Sequence, residues 1–264
     1  LCLLLNFLEI RNPAASSIVW SSRRLTFNKR LSGFSVFIML HIFILIKKAP
    51  LFLLPALLVI SLVGCSKSSN SYQGKKALFL IGEHEYGTPE SLPAFAEKHL
   101  TPLGIESSFI FAESNDRASI DSHNFNGLGA ALESADLLVI SLRRRYPETE
   151  DLTRIREWID SGKPVIAVRT ASHAFGEREK GAGYLAPAGH AAWNTFDVDV
   201  LGASYQGHYK AEEENPPLHV DAWIETSASN HPIVKALNFK DPFKIDDKLY
   251  EYINLDPVIE VVLS

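Results

Sequence analysis

Short apolar runs separated by polar, glycine-marked segments set the rhythm of the chain from about residue 75 onward. Ala77 to Ile81 is continuously apolar, and so is most of Asp136 to Ser141 and of Pro164 to Val168. Runs this short and this continuous mark strands buried on both faces. Ile105 to Phe111 reads as a further strand between the first two. Helical segments alternate with them. One opens at Thr88-Pro-Glu, with proline at an early helical position, and runs to about Leu100 before Pro102 and Gly104 stop it. Leu128 to Ser134 is a second, short helix. Thr149-Glu-Asp-Leu supplies an N-cap and two acids for a third, whose Leu152, Ile155, Trp158 and Ile159 share one face until Gly162 ends it. Four strand–helix alternations predict an α/β fold with a doubly wound, mostly parallel sheet. The strands at 77–81, 105–111, 136–141 and 164–168 should then be parallel neighbours, with their C-terminal ends on one rim.

Beyond residue 175 the pattern is less regular. Gly181 to Ala192 is a Gly/Ala-rich loop, and Asp197 to Leu201 and Leu218 to Glu225 read as strands. His231 to Leu237 makes a short helix, and Leu249 to Ile253 and Val258 to Leu263 are strand-like. Nothing follows that last apolar run to cover it, so a truncated C-terminus is expected.

The N-terminal quarter changes the picture of where this protein sits. Residues 1–64 read as a leader ending in a signal peptide: Lys47 and Lys48, then the apolar run Leu51 to Val63, then Leu62-Val-Gly-Cys65. The apolar run is shorter than the roughly 20 residues a spanning helix needs, and Pro55 interrupts it. Leu-Val-Gly-Cys resembles a bacterial lipobox, which implies cleavage before Cys65 and lipidation of that residue. Residues 65–76, rich in serine and lysine, read as a flexible tether, and 77–264 as the globular domain. The expectation is a bacterial cell-envelope protein held to the membrane by its lipid, on the periplasmic or outer surface.

Charge and cysteine count narrow the chemistry. From Cys65 onward there are 19 Lys+Arg against 30 Asp+Glu, a net of −11 before histidines. A domain that acidic, with only the local cluster Arg143-Arg-Arg145, argues against nucleic acid as partner. The two cysteines are Cys2 in the leader and Cys65 at the lipid site. Disulfides, cysteine-rich zinc sites and cysteine nucleophiles are therefore excluded from the mature domain.

Candidate chemistry gathers at the predicted strand ends, where ligands collect in open α/β sheets. Pro164 to Val168 runs into a sharp polar turn whose first residue is Arg169, followed by Thr170, Ser172 and His173. A strand entering such a turn displays its first residue outside the sheet, as a nucleophile elbow does. A cation there should find either an ion pair with Glu83 or Glu85 or an anionic or oxygen-rich ligand. His173 either faces the same cleft or packs beneath it. Thr170 and Ser172 read as turn hydrogen-bonders, since no Ser/His/Asp spacing is demonstrable. His84, flanked by Glu83 and Glu85 at the tip of the first strand, is either a solvated loop histidine or a general acid/base. In the second case its glutamates should raise its pKa by favouring the charged form. His208 and Tyr209 close the stretch Leu201-Gly-Ala-Ser-Tyr-Gln-Gly-His-Tyr209. With Trp193, Phe196 and Tyr205 they form either an aromatic platform for a sugar face or ordinary core. His231-Pro232 reads as a helix N-terminus capped from Ser229 or Asn230. His84, His173, His208 and His231 lack the i, i+4 spacing of a metal site, so no metal ligands are assigned and no cofactor is named.

Several of these stretches together resemble one family. Gly162-Lys-Pro-Val-Ile-Ala-Val-Arg169, Trp193-Asn-Thr-Phe196, Leu201 to Tyr209, Asn230-His-Pro-Ile-Val-Lys-Ala-Leu237, Phe243 and Asp247-Lys-Leu-Tyr250 are similar to the ThuA-like (trehalose utilisation) family. That family belongs to the class I glutamine amidotransferase-like fold, with a flavodoxin-like sheet. The resemblance spans about residues 76–264. It implies a carbohydrate-derived small molecule as ligand, with His84, Arg169, His173 and His208 as candidate catalytic residues. Glu83, Glu85, Tyr205 and Tyr209 are the candidate ligand contacts. The chain departs from the fold's enzymes at the elbow, where Arg169 replaces a cysteine, so glutamine hydrolysis is not expected. The alternative reading is a non-catalytic carbohydrate-binding or scaffold lipoprotein. Convergence of His84, Arg169, His173 and His208 on one cleft favours the enzyme.

Overall fold

The computed structural model describes residues 18–19, 72–178, 184–208, 220–236, 242–245 and 250–263. Strand β1 is the two-residue segment Ile18–Val19, followed by β2 (Lys76–Gly82), β3 (Glu106–Phe111), β4 (Leu137–Leu142) and β5 (Val165–Val168). They form one sheet in the order β1-β5-β4-β2-β3. β2 to β5 are parallel to their neighbours, and β1 is antiparallel to β5. The registers Gly82↔Leu142 and Ile140↔Ala167 bring the ends of β2, β4 and β5 to the same side, as right-handed crossovers require.

The alternation of residues along the strands divides the core in two. Leu78, Leu80, Leu138, Ile140 and Ala167 point to one face, against Leu128 and Leu132 of α2 (Leu128–Ser134) and Leu152, Ile155 and Trp158 of α3 (Thr149–Asp160). Ala77, Phe79, Ile81, Val139 and Val168 point to the other, against Leu92 and Phe95 of α1 (Thr88–Phe95). Both faces are therefore covered, which is why β2 and β4 carry almost unbroken apolar sequence. The result is an α/β fold on a mostly parallel sheet, as the periodicity predicts. After α1 the chain runs through a wider turn, Ala96–Leu100, and a tight one, Thr101–Leu103. Gly104, at φ 76°, then releases it into β3.

The last third is built from two small antiparallel pairs. β6 (Ser204–His208) pairs with β9 (Tyr250–Ile253), and β7 (Val220–Ala222) pairs with β8 (Phe243–Ile245). α4 (Pro232–Ala236) is the short helix expected there.

Four local expectations need correction. Asp197–Leu201 is a wide helical turn, not a strand. Asp199 accepts from the Trp193 indole at 2.7 Å and the Thr195 hydroxyl at 2.6 Å, contacts that only a returning chain permits. Val258 to Leu263 is not a strand either: Asp256 to Ile259 is a turn, and Leu263 alone makes an isolated bridge, to Ile224. Glu148, not Thr149, holds the N-cap position of α3. The Thr149 hydroxyl donates instead to Gly189 O at 3.1 Å. At α4 the His231 ring, rather than Ser229 or Asn230, accepts from the N–H of Ile233 at 3.2 Å.

Cys65 and the tether up to Ser71 lie outside the described residues. Among the described residues no helix is long and apolar enough to cross a membrane.

Candidate functional site

β2 ends at Gly82, and its lack of a side chain is used. A Cβ there would stand 2.9 Å from Leu142 Cδ2 and 3.1 Å from Arg145 Cγ. This close approach lets the Arg145 Nε–H reach Gly82 O at 3.0 Å. The turn that follows is tied from inside. Thr88 Oγ1 donates to Glu83 O at 2.6 Å and accepts from Ser141 Oγ at 2.9 Å, while the Glu85 N–H donates to Glu83 Oε1 at 2.7 Å. Glu83 is left buried, at 1% exposure, with its second oxygen facing no partner among the described residues.

β4 hands on to three arginines that go three ways. Arg143 pairs with Glu85 across the mouth of the turn. Arg144 takes a left-handed backbone, φ 52°, and its Nη1 donates to Gly176 O at 2.7 Å and Glu177 O at 3.0 Å. Arg145 turns inward and is 1% exposed. Among the described residues its Nη1 has no partner, and neither does His84 Nε2. Behind it, buried His123 accepts from the Tyr146 N–H at 3.2 Å through Nδ1, which places the proton of the neutral ring on Nε2.

The electrostatics of this corner follow from burial and crowding. Burial, then the neighbouring Arg117, bring the Arg145 guanidinium down to about 10 despite the nearby Glu83. Burial, with Arg145 and His190, pushes His123 down to about 4. His84 is also lowered, by burial first and Arg145 second. Glu83 and Glu90 do raise it, but they are outweighed. The expectation that its glutamates leave His84 with a raised pKa is thus corrected: burial, joined by a buried cation at the end of the neighbouring strand, outweighs the acids.

β5 delivers the elbow. Val168 is still extended, and Arg169 then steps into the left-handed region at φ 50°, a position costly for a side-chain-bearing residue. Arg169 is buried, its guanidinium 3.8 Å from the centre of the Tyr86 ring and 5.7 Å from that of Tyr250. A planar cation stacks well on such faces. The turn continues as a 3₁₀ segment, Arg169–His173, anchored to β4 by the Thr170 hydroxyl donating to Leu142 O at 3.0 Å. Thr170 and Ser172 are hydrogen-bonders, as expected. Ser172 Oγ lies 3.1 Å from His173 Nδ1 and also bonds the Tyr252 phenol.

β6 and β9 bring an aromatic wall to this turn. The His173 ring lies 4.7 Å from Tyr205, and Tyr205 lies 5.1 Å edge-on from Tyr250. Burial raises the phenols of Tyr205, Tyr250 and Tyr252, the last to about 12, so all three remain neutral donors at ordinary pH.

The structure thus brings Glu83, His84, Glu85, Arg169, His173 and Tyr205 to one rim. It pairs Glu85 with Arg143 and lays Arg169 on Tyr86, where sequence reasoning weighed an Arg169 ion pair with Glu83 or Glu85. His208 is placed opposite Tyr250 in the β6–β9 pair, and only its backbone is described. Tyr209 and Asp247 lie outside the described residues. Trp193 and Phe196 pack in the core with Phe175, and His231 Nε2 sits 3.8 Å from Glu260. Among the described residues no three His, Cys, Asp or Glu side chains group as metal ligands.

Sequence reasoning missed Tyr86, His123 and Arg145. The signal for Arg145 was present, three consecutive arginines at the end of a buried strand, but not which of them turns inward. No protein family, curated protein or solved structure matches the chain.

Proposed function

We propose that residues 77–264 are a ThuA-like domain on a flavodoxin-like, class I glutamine amidotransferase-like fold, acting on a carbohydrate-derived small molecule by histidine and carboxylate acid–base chemistry. The strand order supports the fold. Counted within the domain, β3-β2-β4-β5 reads second, first, third, fourth, and the order reverses at β2, where such sheets hold their ligands. The left-handed Arg169 at the end of β5 occupies the place of an elbow nucleophile. With no cysteine there, the domain releases no ammonia from glutamine.

One observation carries the reading of the site. Glu83 Oε2, His84 Nε2 and Arg145 Nη1 are three buried polar atoms without partners among the described residues, contributed by the ends of adjacent strands. Each such atom costs about 1–3 kcal/mol of stability. A ligand that satisfies them accounts for their retention.

Their chemistry is complementary. His84, held neutral by burial and Arg145, takes a proton from a ligand hydroxyl or activated carbon and returns it later in the cycle. Arg145 stabilises the negative charge that develops, and Glu83 accepts a hydrogen bond from a second hydroxyl. Tyr86 and Arg169 present a flat, polarised surface to a sugar face. Leu62-Val-Gly-Cys65 tethers the domain to the cell-envelope membrane through lipid on Cys65.

The test is a thermal-shift panel of sugars and keto-sugars, followed by turnover on whichever compound stabilises the parent. His84→Ala and His208→Ala are each expected to lower turnover about 10²–10⁴-fold with the fold intact. Near wild-type turnover in both variants would remove the acid–base assignment and leave the binding-protein reading.

A further inference from the structure

Arginine is gathered at this rim against the charge of the whole domain. From Cys65 onward the chain has a net charge of −11, yet Arg117, Arg143, Arg144, Arg145 and Arg178 lie near one another around the strand ends. Among the described residues, Arg143 alone of these five has a carboxylate within ion-pair distance, from Glu85. Arg117 Nη1 lies 3.4 Å from the Tyr184 hydroxyl, and Arg144 and Arg178 flank the same ring at 6.0 and 5.8 Å. The innermost, Arg145, is 1% exposed, and its Nη1 has no partner among the described residues. Glu83 is close enough to favour its charge but makes no ion pair with it.

Like charges crowded in a partly buried corner repel one another, and guanidinium forks match carboxylate and phosphate oxygens in pairs. Beside them, Glu83 Oε2 accepts from hydroxyls and cannot itself hold an anion. We infer that the ligand of this rim is an anionic polyhydroxylated molecule, with its carboxylate or phosphate held by Arg145 and Arg117 and its hydroxyls by Glu83 and His84. This rests on the site proposed above and names its substrate class. Arg145 Nη1 is out of solvent's reach, so the anion enters as the Glu83–Gly87 turn moves aside, and the Glu85–Arg143 pair spans that mouth.

Calorimetric titration of the full chain with D-glucose, D-gluconate, D-glucose 6-phosphate and inorganic phosphate tests it. Gluconate or glucose 6-phosphate is expected to bind about 10–100-fold more tightly than glucose, the range of one charged hydrogen bond. The preference should shrink as ionic strength rises and fall away in Arg145→Gln. Should Arg145→Gln not fold, Arg117→Gln, altered at a less buried side chain, reads the same loss. Equal binding of glucose and gluconate overturns the charge requirement while leaving a carbohydrate site. Binding of phosphate without any sugar supports the charge and removes the carbohydrate. Absence of binding by all four, or a preference indifferent to both arginine substitutions, overturns the inference.

Discussion

At the scale of single residues, burial decides protonation here more than sequence neighbours do. His123 takes a proton near 6.5 when unfolded but only at about 4 when folded. Between those values the unfolded chain binds more protons, so stability falls as the pH is lowered through that window and levels off beneath it. The full effect is on the order of 3 kcal/mol. Urea unfolding at pH 7 and pH 4 is expected to show that loss, and His123→Asn, which keeps an acceptor for the Tyr146 N–H, should remove most of it. A variant with the parent's pH dependence would place the titrating group elsewhere. His84 is shifted in the same direction and adds to the slope.

Arg169 offers a second residue-scale test. At φ 50° a Cβ costs about 1 kcal/mol relative to glycine. Arg169→Gly and Arg169→Ala both lose the stack on Tyr86, so the difference between them isolates the backbone. The glycine variant should be the more stable by about that amount. An alanine variant equal or superior in stability would mean that the elbow is not left-handed.

At the scale of elements, the strands were legible in the sequence and the connections were not. β2, β4 and β5 fall within a residue of the predicted runs, because a strand covered on both faces must be apolar at nearly every position. Asp197–Leu201 has the alternation of a strand but folds as a helical turn. Its Asp199 is claimed by Trp193 and Thr195, and periodicity carries no information about such side-chain partners. Thr149 likewise looks like a cap until Gly189, distant in sequence, takes its hydroxyl.

The site divides the same way. Glu83, His84 and Arg169 could be placed at the rim from sequence because strand ends are predictable. Arg145 was not, because its inward turn depends on the left-handed step at Arg144. Gly82 binds these elements together. Gly82→Ala pushes a methyl into Leu142 and Arg145, and is expected to cost about 1–3 kcal/mol by overpacking. It should weaken ligand stabilisation further by displacing the Arg145 side chain. A variant with parental ligand response would separate Arg145 from the site.

At the scale of the whole molecule, an acidic domain keeps most of its arginines at one rim and its candidate anchor at Cys65. Cys65→Ser should block incorporation of labelled palmitate and leave the leader uncleaved by lipoprotein peptidase. Continued labelling would remove the lipid tether. The central claim, that the ends of β2, β4 and β5 form a ligand site, is tested most directly by hydrogen–deuterium exchange of the full chain. Exchange is to be compared with and without the sugar or keto-sugar that gives the largest thermal shift. Protection is expected in peptides covering residues 83–87, 143–146 and 169–173, with little change in α2 and α3. Protection confined to those helices, or to the β7–β8 pair, would contradict it.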